Sequence, residues 1–177
     1  MLILLGCVII GIILYVIIIN NRIIKTENKV EEALSDIDVA LSRRYTTLTN
    51  LVEVVKGYAK HEKEVILKVV ELRANPSMQE RTDVDSNHTQ VQSKLFALSE
   101  NYPDLKASEQ FLSLQKTIVE LEEHLSASRR MYNSNVSIYN NLIECFPSSL
   151  VARFINASVK DYFKANDNEK ENIQLKL

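Results

Sequence analysis

The first nineteen residues, MLILLGCVIIGIILYVIII, carry no charge, and apart from Gly6 and Gly11 every one is apolar or aromatic. As a helix this run rises roughly 28 Å, about the thickness of a bilayer's hydrocarbon core. A secretory signal peptide needs a basic start, a shorter apolar stretch and a small-residue cleavage site. Here the run starts apolar and ends in Asn20-Asn21-Arg22, so it reads as an uncleaved transmembrane anchor. The lipid-facing residues expected are Leu2, Ile3, Leu4, Leu5, Val8, Ile9, Ile10, Ile12, Ile13, Leu14, Val16, Ile17, Ile18 and Ile19. Leu4-Leu5-Gly6-Cys7 faintly resembles a lipoprotein box, but most of the apolar run comes after the cysteine rather than before it, so Cys7 reads as a small buried hydrophobe in the membrane.

Flanking charge sets the expected orientation. The first basic residues are Arg22, Lys25 and Lys29, all after the run, which puts the N-terminus outside and the helical body in the cytoplasm. The expected layout is an anchor over 1–20, a helical bundle over 21–163, and a charged, Asn-rich tail over 164–177 too polar to order.

Beyond the anchor, apolar residues recur in steps of three and four from Val30 through Leu34, Ile37, Leu41, Leu48 and Val55 to Ala59, Ile66 and Val69. Pro is found only at 76, 103 and 147 and Gly only at 6, 11 and 57, so the spacing predicts one long helix up to Ala74, continuous through Thr46–Asn50. Met78 to His88 is polar and reads as a connection or frayed helix start. Val91, Leu95 and Leu98 predict a short helix ending before Pro103, after which Asp104 can cap the next. That third helix keeps heptad-like spacing from Phe111 through Ile118, Leu125, Tyr132 and Tyr139 to the stop at Phe146-Pro147, and a last helix runs from Leu150 to about Phe163. With no strand alternation anywhere, the expected fold is all-α: an N-terminal transmembrane helix followed by an antiparallel, four-helix-bundle-like array of long helices.

The chemistry of sites is sparse. Three glycines, two of them in the apolar run, leave no material for a phosphate-binding loop, and 21 Lys+Arg against 23 Asp+Glu argue against a nucleic-acid binder. His61-Glu62 opens like a zincin motif, but Val65 stands where the second histidine belongs; His88 and His124 lie in other segments. No catalytic or metal-binding residues are assigned, and no cofactor or small-molecule substrate is implied. Cys145 reads as a packed thiol, and the pairs Glu31-Glu32 and Glu122-Glu123 as solvated helix faces.

Two groups stand out as interaction or register residues. Arg43-Arg44 interrupts a stretch of apolar and small residues shortly before Asn50, fitting either a carboxylate or phosphate contact or ion pairing with Asp36, Asp38 or a neighbouring helix. Tyr132-Asn133 and Tyr139-Asn140 repeat seven residues apart, stacking on one helix face and suggesting an interhelical hydrogen-bond ladder.

Several runs together resemble the LemA family. They are Ile37-Asp38-Val39-Ala40-Leu41-Ser42-Arg43-Arg44-Tyr45, Asn50-Leu51-Val52-Glu53, Val55-Lys56-Gly57-Tyr58-Ala59 with His61-Glu62, Tyr102-Pro103-Asp104-Leu105-Lys106-Ala107, and Ser128-Arg129-Arg130-Met131-Tyr132-Asn133 with Tyr139-Asn140 and Phe146-Pro147-Ser148. They cover roughly 30–163. Thr49 replaces a proline common before Asn-Leu-Val, and Ala33-Leu34 stands where Ala-Trp is usual. The resemblance implies a bacterial protein with one N-terminal anchor and a helical bundle, and carries over no catalytic residue or cofactor. The function expected is a non-enzymatic scaffold or interaction module of the cell envelope, partnered by the lipid bilayer and an unidentified protein. A tethered enzyme with a polar pocket around Arg43, Arg44 and the Tyr-Asn pairs, or a coiled-coil docking device, is the competing expectation.

Overall fold

A computed structural model describes residues 1–58 and 78–163. These form five helices: α1 (Leu2–Tyr58), α2 (Met78–Ser99), α3 (Pro103–Lys106), α4 (Glu109–Glu144) and α5 (Ser148–Phe154), with no strand among the described residues. The expected all-α fold is therefore the fold observed. His61, the stripe positions Ala59, Ile66 and Val69, the stop at Ala74-Asn75-Pro76-Ser77, and the tail 164–177 lie outside the described residues.

α1 is a single helix of 57 residues, continuous from the apolar run and through Thr46–Asn50 as the spacing predicts. No proline interrupts it. The threonines that could compete for its backbone donate instead to carbonyls one turn back: Thr26 to Arg22, Thr46 to Ser42, Thr47 to Arg43 and Thr49 to Tyr45.

The chain divides into two compact units. One comprises Met1–Ser35 and Ser128–Tyr162, the other Asp36–Ala127 with Phe163–Leu177.

In the second unit, Leu48, Leu51, Val52 and Val55 of α1 share a core with Val91 and Leu95 of α2, Leu105 of α3, and Phe111 and Ile118 of α4. The rings of Phe96 and Phe111 meet edge to face at 6.2 Å. α1 and α2 run the same way, since Asp38 pairs with Arg81 and Arg44 with Asp85. α4 runs against both, with Glu122 at Arg44 and Phe111 at Phe96.

In this unit two helix boundaries differ from the sequence reading. The polar stretch from Met78 is the first half of α2, a 22-residue helix, so of the two readings offered for it the helix start holds and the connection does not. Its buried stripe, Thr82, Asp85 and His88, continues in helical steps into Val91 and Leu95 but is polar, so apolar periodicity does not register it. Asp104 does not cap α4. It lies in the first turn of the short α3, and the Phe111 amide donates to Ser108 Oγ at 3.2 Å, making Ser108 the N-cap.

In the first unit α4 runs antiparallel to α1. Asn135 Nδ2 donates to the Lys29 carbonyl, and Tyr139, four residues on, lies within electrostatic reach of Glu27. α5 is shorter than predicted and ends at Phe154. Asn156 takes a left-handed conformation with φ 56°, and the Ala157 amide reaches back to the Ala152 carbonyl, a Schellman stop. Residues 157–162 continue as a non-helical strap.

On α1, the apolar side chains of 3–18 are exposed in the structure, whereas Ile19 and Ile23 are buried. The protein's own packing thus begins where the apolar run ends.

Candidate functional site

Two buried polar clusters hold most of the residues singled out by sequence, one in each unit.

In the second unit Arg44 is almost wholly buried. Its Nη1 donates to Asp85 Oδ1 at 2.6 Å; its Nη2 donates to Thr89 Oγ1 at 3.1 Å, Gln92 Oε1 at 3.0 Å and Glu122 Oε1. Thr89 in turn donates to the Asp85 carbonyl at 3.0 Å, which fixes its lone pairs toward Arg44. A guanidinium cannot shed its charge, so its burial requires acceptors of this kind. One turn earlier on α2, Arg81 grips both Asp38 oxygens, at 2.6 and 2.8 Å, a bidentate link between the same two helices.

Of the alternatives open for Arg43-Arg44, the structure selects ion pairing with neighbouring helices for Arg44, whereas Arg43 is exposed. Glu122 is correspondingly no merely solvated residue. His88 lies in the same cluster, its ring 6.3 Å from that of Tyr45, with no hydrogen-bond partner at Nδ1 or Nε2. Burial, reinforced by the Arg44 guanidinium, brings the imidazole down from 6.5 to about 4, so His88 is neutral near pH 7. Asn50 is exposed and lines a shallow open cleft with Val54, Glu109, Gln110, Ser113 and Leu114.

In the first unit Tyr132 and Asn140 of the Tyr-Asn repeat bond to the strap. Asn140 Nδ2 donates to the Lys160 carbonyl at 2.9 Å, and the Lys160 amide donates to Asn140 Oδ1 at 3.0 Å. One side-chain amide thus plays the part of a β-ladder neighbour. Tyr132 Oη donates to the Asp161 carbonyl at 2.9 Å. The Lys160 ammonium sits 6.0 Å from the centre of the Tyr139 ring and pairs with Glu27 at 3.1 Å and Glu31 at 3.2 Å. Burial opposes its charge, but hydrogen bonds to the two carboxylates prevail and raise its pKa. Tyr139 is raised by burial and by Glu27. Asn133 is half-buried on the same helix.

Sequence reasoning missed Asp85, His88, Gln92, Glu122 and Lys160. Asp85 and His88 continue the three-residue steps that lead to Val91, but as polar residues they give no apolar signal. Lys160 carries no such signal; its place depends on the turn at Asn156. Cys145 is an exposed free thiol rather than a packed one. Among the described residues no group of three or more His, Cys, Asp or Glu side chains could hold a metal ion.

These features define a class: an all-α bundle carrying one N-terminal helix long and apolar enough to cross a membrane, with Arg44 and Lys160 paired to carboxylates of other elements. Within that class, the sequence model of the LemA family matches residues 33–177, and the chain belongs to the LemA family. It is also 29% identical over 162 residues to a protein of Metamycoplasma hominis named Protein LemA, an alignment covering 87% of this chain and 73% of that protein. The family match begins at Ala33, after the apolar run.

Proposed function

We propose that this chain is a single-pass, membrane-anchored helical scaffold of the bacterial cell envelope, a non-enzymatic module that presents its helix faces to a protein partner. The N-terminus lies outside and the bundle in the cytoplasm, as Arg22, Lys25 and Lys29 after the span favour. The observation that carries the anchoring is the contrast along α1: apolar side chains uncovered from 3 to 18, packing from Ile19 onward. So long an uncovered apolar run in water would be a severe aggregation liability, which lipid removes. Support for a non-enzymatic role comes from Arg44 and Lys160, whose charges are spent on carboxylates of their own units.

Photo-crosslinking from Asn50 in the native membrane tests the interaction role. A single recurring protein captured there, and lost when the cleft residue Glu109 is changed to Lys, supports it. Failure to capture any protein from this and other exposed faces of both units, with turnover of a small molecule by the purified chain, would defeat it. The tethered-enzyme reading draws on one observation, the neutral His88 buried beside Arg44. His88→Phe would abolish turnover under that reading and leave crosslinking unchanged under the scaffold reading.

A further inference from the structure

Beyond the apolar run, the three most exposed apolar side chains of the first unit lie within nine positions of one another. Phe146 is 79% exposed, Leu150 60% and Phe154 88%. On α5, Leu150 and Phe154 are one turn apart and share a face, while Ser148, Val151 and Ala152 turn inward. Two phenylalanines this uncovered within nine positions form a patch of the kind that marks an interaction surface. Arg153, also exposed, lies beside it.

Helix register locates the patch along α1. Asn135 of α4 bonds to Lys29, and α4 runs antiparallel to α1. From Asn135 to the end of α4 at Glu144 is a rise of roughly 13 Å, and the same rise from Lys29 toward the N-terminus of α1 arrives at about Asn20. α4 therefore ends level with Asn20-Asn21-Arg22, where the apolar run gives way to polar residues. Burial along α1 agrees with that level: Ile18 is 63% exposed and Ile23 1%. Phe146 and α5 come directly after that end.

We propose that Phe146, Leu150 and Phe154 form an interfacial foot that inserts between the headgroups of the bilayer spanned by α1, with Arg153 on lipid phosphates. The inference rests on the membrane-anchor reading. Its occupant is lipid rather than protein because the patch begins, at Phe146, directly after the end of α4, which lies level with the place where the span leaves the hydrocarbon. Apolar side chains flanked by Arg are the composition of a helix lying in that zone. The foot gives the first unit a second hold on the membrane and resists tilting of the helix about its span.

The chain lacks tryptophan, so one introduced indole reports one position. The full chain is reconstituted into phosphatidylcholine and phosphatidylglycerol vesicles carrying Phe154→Trp, Ile10→Trp in the span, or Met131→Trp on an exposed site of α4. The lipids are brominated either near the headgroup or deep in the acyl chain. The foot predicts blue-shifted emission from Phe154→Trp, quenched most by the shallow bromines, with Ile10→Trp quenched most by the deep ones and Met131→Trp by neither. Water-like, unquenched emission from Phe154→Trp beside a quenched Ile10→Trp overturns the foot and leaves the anchor standing. Blue-shifted but unquenched emission means that this chain or a second copy of it covers the patch, which also overturns the foot. An unquenched Ile10→Trp removes the anchor and the foot with it.

Discussion

Arg44 Nη1 and Asp85 Oδ1 lie 2.6 Å apart, joining α1 to α2 across 41 residues of sequence, with side-chain exposures of 1% and 5%. Neither charge can be left alone at that depth, because removing one partner strands the other in a poorly solvated site. Asp85→Ala is expected to cost about 3–5 kcal/mol, read by chemical denaturation of the full chain in detergent. Arg44→Met combined with Asp85→Leu should recover most of that loss, since the second carboxylate, Glu122, is partly exposed and can turn to water. A double variant as unstable as the single one would mean that the cluster contributes more than a matched pair of charges.

Below neutral pH, His88 makes the stability depend on pH. Its imidazole titrates at about 4 in the folded chain against 6.5 in the unfolded one, so between those values the unfolded state holds the extra proton. Stability is then full above pH 6.5 and falls as the pH drops toward 4, by about 3 kcal/mol from this group. His88→Phe should flatten that part of the profile. Equal slopes in the two proteins would show that His88 is hydrated or charged when folded.

Asn140 fixes the strap through two hydrogen bonds to the Lys160 backbone. Asn140→Leu should therefore destabilise the chain by about 2 kcal/mol, two ordinary net hydrogen bonds, and speed hydrogen exchange at the Lys160 amide while sparing the core of α2. The oligomeric state should not change, because the amide's partner is this chain's own strap. Mixed oligomers on sedimentation would restore the register role that the heptad spacing suggests.

The sequence makes α1 and α4 legible because their buried stripes are mostly apolar and unbroken by Pro. The first half of α2 is hidden because its stripe is Thr82, Asp85 and His88, with the Asp85 carboxylate held there by Arg44. A polar stripe is recognised as core when its partner is known, and that partner is 41 residues away. Arg44 itself stands out as a charge amid apolar and small residues, and ion pairing with a neighbouring helix is among the alternatives it offers. The strap is hidden for a different reason. It is held by the side-chain amide of Asn140 and by the ion pairs of Lys160, contacts without any sequence period, and it begins at a left-handed Asn156 that only the backbone reveals.

Whether residues 1–19 span the membrane with the bundle on the cytoplasmic side can be read from two thiols. Cys7 lies in the apolar run, and Lys116→Cys, in a chain carrying Cys145→Ser, places a second thiol on an exposed site of α4. A membrane-impermeant maleimide should leave both unlabelled in intact cells and label only the thiol at position 116 once the cells are opened, with the chain remaining in the pellet after alkaline carbonate. Labelling of position 116 in intact cells would contradict the orientation. Release by carbonate together with labelling of Cys7 would contradict the span.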